Sequence, residues 1–136
     1  MSLAPTLAPT LVYVTFLARD VAALAQFYVD ALGLEEVLAS RDERYREVRG
    51  GGCMIGFATQ AVRPFIKLPE IEPVGTRAIV TFDVGTVAQV AVMAARAVAQ
   101  GATLVREGQD TFFGQHQAVL SDPEGNVFRL SAASGS

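Results

Sequence analysis

The chain has 136 residues, of which 51% are hydrophobic and 18% charged. That is enough apolar material to bury a core as one domain or as two small fused halves, and it excludes intrinsic disorder. A net charge of -3 without a basic run gives a nucleic-acid or membrane-surface role nothing to rest on. The single cysteine, Cys53, rules out an internal disulfide and fits a reducing, cytoplasmic setting. No apolar stretch approaches the roughly 18 to 20 residues of a membrane span. Residues 1–10 lack the basic start of a signal peptide and read as a loose lead-in whose first residues could be an expression scar.

Taken in order, Leu11 to Ala18 alternates as a strand, with Val12, Val14 and Phe16 against Tyr13, Thr15 and Leu17. Asp20 is a good N-cap for a helix from Val21 to Leu32, with Val21, Leu24, Phe27, Tyr28 and Leu32 at helical spacing and Gly33 as a left-handed C-cap. Three short strands are expected at Leu34 to Ser40, Tyr45 to Arg49 and Cys53 to Thr59, separated by Arg41-Asp42-Glu43 and Gly50-Gly51-Gly52. Residues 61–75, with Pro64, Pro69 and Pro73, form a connector.

The pattern then repeats. Arg77 to Val84 reads as a strand, Thr86 as the cap of a helix from Val87 to Gln100, and Gly101 as its end. Ala102 to Arg106, Gln115 to Ser121 and Val127 to Ser131 supply three more strands. Val14-Thr15-Phe16 and Val80-Thr81-Phe82 are the same tripeptide 66 residues apart, and the caps Asp20 and Thr86 keep that offset. The chain is therefore βαβββ twice, repeats 11–60 and 76–132, within one α+β domain spanning 11–136.

Two such units, the segment from Phe27 to Leu34 (FYVDALGL) and the turn and strand from Asp122 to Leu130 (DPEGNVFRL) resemble the vicinal oxygen chelate superfamily of glyoxalases, bleomycin resistance proteins and extradiol dioxygenases. The resemblance covers about Leu11 to Ser131. It implies a curled eight-stranded mixed sheet whose concave cup holds the ligand, and it implies a homodimer, with or without exchange of repeats. The family's metal-ligand positions, matched one at a time, fall on Tyr13, Ile79 and Arg129, with a weaker match of a fourth to Gly56. Isoleucine has no donor atom, a guanidinium repels a cation and a neutral phenol is a poor ligand. His116 is also the only histidine. The expectation is a protein with no metal and no cofactor.

Strand parity directs Tyr13, Thr15, Ile79, Thr81 and Arg129 into the cup, and Val14, Phe16, Val80, Phe82, Phe128 and Leu130 toward the helices. An apolar wall with a few hydroxyls and one cation suits a small anionic or aromatic ligand, with Arg129 as its anchor or else ion-paired to Glu47 or Asp83. Phe112 and Phe113 either close over that ligand or pack against the sheet. Glu47 has the parity to face the cup, and Met54 fills a gap in cup or core. Glu47, His116 and Tyr13 are the weaker catalytic candidates, although the parity of His116 points it toward the helices or the rim. Cys53 reads as a buried, inert thiol in preference to a nucleophile.

Three classes of function follow. The leading one is a metal-free protein that sequesters a drug or small metabolite in the cup. The second is a lyase, isomerase or dioxygenase with a displaced or absent metal site, and the third a non-catalytic module that binds a partner.

Overall fold

The computed structural model describes residues 8–69 and 75–136. The first seven residues of the lead-in and residues 70–74 of the connector lie outside the described residues. The elements are β1 (Tyr13–Ala18), α1 (Val21–Leu32), β2 (Glu35–Glu36), β3 (Tyr45–Arg49), β4 (Met54–Thr59), β5 (Val80–Asp83), α2 (Val87–Ala99), β6 (Thr103–Asp110), β7 (Gln115–Ser121) and β8 (Val127–Ala133). This is the expected βαβββ arrangement, twice over.

Both helices form where their caps dictate. The Asp20 carboxylate accepts the Ala23 N–H at 3.0 Å, and Gly33 closes α1 with φ +71°, a conformation that costs a side-chain-bearing residue about 1 kcal/mol or more. Thr86 caps α2 in the same way, and Gln100, ahead of Gly101, terminates it.

Most strands agree with the sequence reading to within two residues at each end, and three depart further. Leu34 to Ser40 is not one strand: pairing covers only Glu35–Glu36, after which Leu38–Ser40 winds into a 3₁₀ turn. The Ser40 hydroxyl donates to the Val37 carbonyl and supports that turn locally. β5 is shorter than Arg77 to Val84, beginning at Val80. β6 is longer than Ala102 to Arg106, because register shifts on either side of Arg106 let the polar run to Asp110 stay paired with β7.

The eight strands are hydrogen-bonded as two four-stranded sheets, in the orders β1-β4-β3-β2 and β5-β8-β7-β6. In each, the first strand of the repeat runs parallel to the last and the remaining neighbours are antiparallel. The helix α1 packs on β3 and β4, α2 packs on β6, β7 and β8, and the helices touch each other. Phe57 from the first sheet stacks on Tyr28 of α1, and Phe82 and Phe128 from the second pack against it at a tilt. One apolar core thus joins both units through their helix-facing sides. Burial of each large side chain there contributes about 1.5 to 3 kcal/mol.

The turn at Asp122 locks the two repeats together. The buried Asp122 carboxylate accepts from the Tyr28 hydroxyl at 2.7 Å and the Asn126 amide at 2.9 Å on one oxygen, and from the backbone N–H groups of Glu124 and Asn126 on the other. Glu124, two residues on, accepts the backbone N–H groups of Arg19 and Asp20 at the start of α1. Burial, followed by the neighbouring Asp122 charge and its hydrogen bond, pushes the Tyr28 phenol far above its ordinary pKa, so it remains a donor. The most recognisable sequence motif of the chain is therefore a structural clasp.

Candidate functional site

With the core between the helices and the inner sides of both sheets, the residues of opposite parity line outer faces. On the second sheet, pairing sets Arg106, Val119, Arg129 and Thr81 side by side across four strands. Arg106 and Arg129 stand two strands apart, roughly 10 Å between backbones. They flank a groove of about 440 Å³ whose walls include Ile79, Val119, Phe112 and Phe113. Phe112 and Phe113 meet edge to face with centroids 5.2 Å apart, and Phe112 is fully exposed at the mouth.

Arg129 donates from Nε to the Thr81 hydroxyl at 3.0 Å. Among the described residues neither Arg129 nor Arg106 has a carboxylate within ion-pair distance, so the alternative pairing of Arg129 with Glu47 or Asp83 is not formed. The groove floor is polar but self-satisfied: Gln117 donates to the Ser131 hydroxyl at 3.1 Å, and that hydroxyl donates to Gln115 at 3.0 Å. Asp110 stands at the edge, its carboxylate committed to His116 at 3.0 Å and Ser134 at 3.2 Å. Those hydrogen bonds, His116 first, hold it below the usual carboxylate range.

The outer face of the first sheet is a separate site. Tyr13, Glu47, Arg49, Cys53 and Met54 line a groove of about 600 Å³. Beside it the Tyr45 ring lies across Gly56 and donates its hydroxyl to Glu47 Oε1 at 2.7 Å. A β-carbon at Gly56 would sit 2.5 Å from the Tyr45 oxygen, so the glycine makes room for the phenol. Burial first, then the bond to Glu47, pushes Tyr45 well above the ordinary phenol range.

The expected ligand-binding residues consequently divide. Ile79, Phe112, Phe113 and Arg129 line the second-sheet groove, with Thr81 bonded to Arg129. Tyr13, Glu47 and Met54 line the first-sheet groove, and Thr15 is exposed on the same strand as Tyr13. The two grooves share no lining residue. The three catalytic candidates do not converge: His116, on β7 of the second sheet, lies against Gly108, whereas Tyr13 and Glu47 line the groove of the first sheet. Cys53 is half-buried and borders a groove, where a buried thiol was expected; its Sγ lies 3.5 Å from the Met54 carbonyl.

Sequence reasoning missed Arg106, Gln117 and Tyr45. The last two share parity with Val119 and Glu47 and could have been found; the bulged register hides Arg106.

The metal-ligand positions of the superfamily do not fit a metal here. Tyr13 and Gly56 are on the first sheet, Ile79 and Arg129 belong to the second unit, and the space above Gly56 is taken by Tyr45. Among the described residues, no three His, Cys, Asp or Glu side chains gather closely enough to hold an ion.

Paired βαβββ units with this strand order define the glyoxalase, bleomycin resistance and dioxygenase class of folds. The profile of the glyoxalase-like domain matches residues 13–131, and the chain belongs to that family. A glyoxalase/bleomycin resistance protein/dioxygenase family enzyme from Burkholderia phytofirmans PsJN is 34% identical, with TM-score 0.87 over 90% of this chain and 98% of that one. A glyoxalase-related enzyme from Fulvimarina pelagi shares the fold at 19% identity and TM-score 0.81, over 91% and 88% of the two chains. A lactoylglutathione lyase from Agrobacterium tumefaciens does so at 21% and 0.68, over 94% of each chain. A search of curated protein sequences gives no significant match. No helix among the described residues is long and apolar enough to cross a membrane.

Proposed function

We propose that the protein binds a small anionic molecule with an apolar or aromatic body, sequestering a drug or metabolite without a metal or other cofactor. The observation that carries this reading is the pair Arg106 and Arg129, two guanidiniums without carboxylate partners among the described residues, flanking a groove with apolar and aromatic walls. A planar guanidinium binds carboxylate or phosphate through two parallel hydrogen bonds, and low surrounding polarity strengthens each of them. Phe112, Phe113, Ile79 and Val119 take the ligand's body.

An open face covers one side of such a ligand. A second copy of the chain, applying its first-sheet face, covers the other, so the working form is a homodimer. The single thiol suits a reducing cytosol.

A thermal-shift screen of benzoate and phenyl phosphate against the neutral isosteres benzamide and benzyl alcohol tests the reading. Binding at a hundred times Kd stabilises the folded state by about 2.7 kcal/mol. The anions should raise the melting temperature of the natural chain and raise that of Arg129→Ala by half as much or less. An equal response to the neutral isosteres would refute the anion assignment.

A further inference from the structure

On the helix side of the sheets, where the two repeats meet, the core is not closed. Among the described residues seven half-buried apolar side chains border the core, and five of them, Leu32, Leu34, Phe82, Val84 and Met93, gather around one cavity of about 410 Å³. Leu130, fully buried, closes it from within. Both repeats build the walls. The end of α1 and the Gly50-Gly51 turn between β3 and β4 come from the first, and β5, β8 and α2 from the second. β5 is an edge strand, so no further strand of its sheet seals the flank that it turns to the first repeat. Phe82 and Leu130 have the parity opposite to that of Thr81 and Arg129, which sets this cavity behind the anion groove. The two share no lining residue, and the cavity has only Gly51 in common with the first-sheet groove.

Three polar side chains border the apolar walls. The Thr81 hydroxyl is already taken by Arg129. Asp83 accepts the Gly85 N–H on Oδ1 at 2.8 Å, which holds the carboxylate in place, and among the described residues no Arg, Lys or His pairs with it. Gln89, in the first turn of α2, donates its backbone N–H to the Thr86 cap, and its side-chain amide has no partner among the described residues. The edge of the cavity thus offers a carboxylate and an amide oxygen, and Asp83 is the one charged residue on it.

A volume of this order suits a small molecule, whose sites span roughly 300 to 1,000 Å³. An anion is repelled by Asp83. A hard metal ion requires about six oxygen donors, which the lining lacks. A primary ammonium carries three N–H donors and no acceptor, which matches the free oxygens, and a hydrocarbon body attached to it matches the walls.

We infer that this cavity binds a small primary amine in its ammonium form, with the apolar body against Leu32, Phe82 and Met93 and the ammonium donating to Asp83 and Gln89. Such a ligand bridges the two repeats on the side away from both grooves.

2-Phenylethylamine, titrated into the full chain carrying methyl-labelled methionine, tests the inference. Met93 borders this cavity and Met54 the first-sheet groove, so their signals separate the two places. A saturable shift at Met93 is expected, with Met54 fixed. 3-Phenylpropionate, of similar size and opposite charge, should leave Met93 unmoved. Asp83→Asn keeps an acceptor for the Gly85 N–H and removes the charge, and it should weaken binding about two- to fivefold, the range of an exposed ion pair. Gln89→Ala should weaken it about two- to tenfold through the lost hydrogen bond. Absence of a saturable shift at Met93, a shift at Met54 in its place, equal binding of 3-phenylpropionate, or unchanged affinity in a folded Asp83→Asn variant would overturn the assignment. So would a Met93 signal that moves with protein concentration before any amine is added, because a side chain of a second copy would then fill the cavity. None of these results bears on phenyl phosphate binding at Arg129, so the two readings fail separately.

Discussion

Replacing Tyr28 by Phe isolates the hydrogen bond that clasps one repeat to the other. The ring stays in its aromatic cluster against Phe57, Phe82 and Phe128, and only the hydroxyl 2.7 Å from Asp122 Oδ2 is lost. A hydrogen bond to a charged acceptor contributes about 1.5 to 3 kcal/mol. Asp122 keeps three other donors, one of them the Asn126 amide on the same oxygen, so the cost falls in the lower half of that range, about 1.5 to 2 kcal/mol. The unfolding entropy of a chain of 136 residues is roughly 0.29 kcal/mol/K, which converts the loss to a drop in Tm of about 5 to 7 °C. Asp122→Ala should cost more, about 3 kcal/mol or above, because it strands the buried phenol and two backbone N–H groups of the turn as well. Urea unfolding and calorimetry of both variants provide the measurement. A Tyr28→Phe variant within 0.5 kcal/mol of the natural chain, or one that loses more than Asp122→Ala, would refute the clasp.

Other expectations are smaller. Gly56→Ala places a β-carbon against the far end of Tyr45; the phenol should swing off Glu47 at a cost of about 1 kcal/mol, seen as a change in tyrosine emission, and an unchanged Tyr45 ring signal by NMR would contradict this. Asp20→Ala removes the cap on α1 and should cost about 1 kcal/mol in urea unfolding. Glu36, with its side chain only 8% exposed, is held below its ordinary carboxyl pKa first by the hydrogen bond from Arg41. Its folded pKa is depressed, so its contribution is present above the unfolded value and is lost as pH falls through the folded one. In urea unfolding followed across pH, Glu36→Gln should therefore lower stability by about 0.5 to 1 kcal/mol at neutral and alkaline pH and leave it unchanged below the folded pKa, which flattens the acid limb of the curve.

Much of the fold was legible because it is written locally. Asp20 and Gly33 bracket α1 at its observed ends, and the 66-residue offset between the two Val-Thr-Phe strands announces the duplication. Where the reading slipped, the deciding interactions were not local. Leu34 to Ser40 has strand composition throughout, yet Ser40 folds back on Val37 after two paired residues. Arg106 to Asp110 looks like a polar loop, yet β7 pairs with it across two register shifts.

The site was legible by face but not by assembly. Alternation separates Tyr13 and Arg129 from Phe16 and Phe128, which is a property of each strand alone. Whether the sheets meet edge to edge or through their helices depends on Tyr28 of one repeat packing against Phe82 and Phe128 of the other, and spacing carries no record of that. The unpaired state of Arg129 was likewise a question of distance, since Glu47 and Asp83 have plausible parity and lie out of reach.

The most direct test of the central claim is a calorimetric titration of phenyl phosphate into the natural chain, Arg129→Ala and Arg106→Ala at two ionic strengths. A charge-assisted pair is lost in each variant, so affinity should fall at least tenfold in both, and binding to the natural chain should weaken as salt rises. Equal affinity in all three proteins, or binding to the natural chain insensitive to salt, would contradict the account.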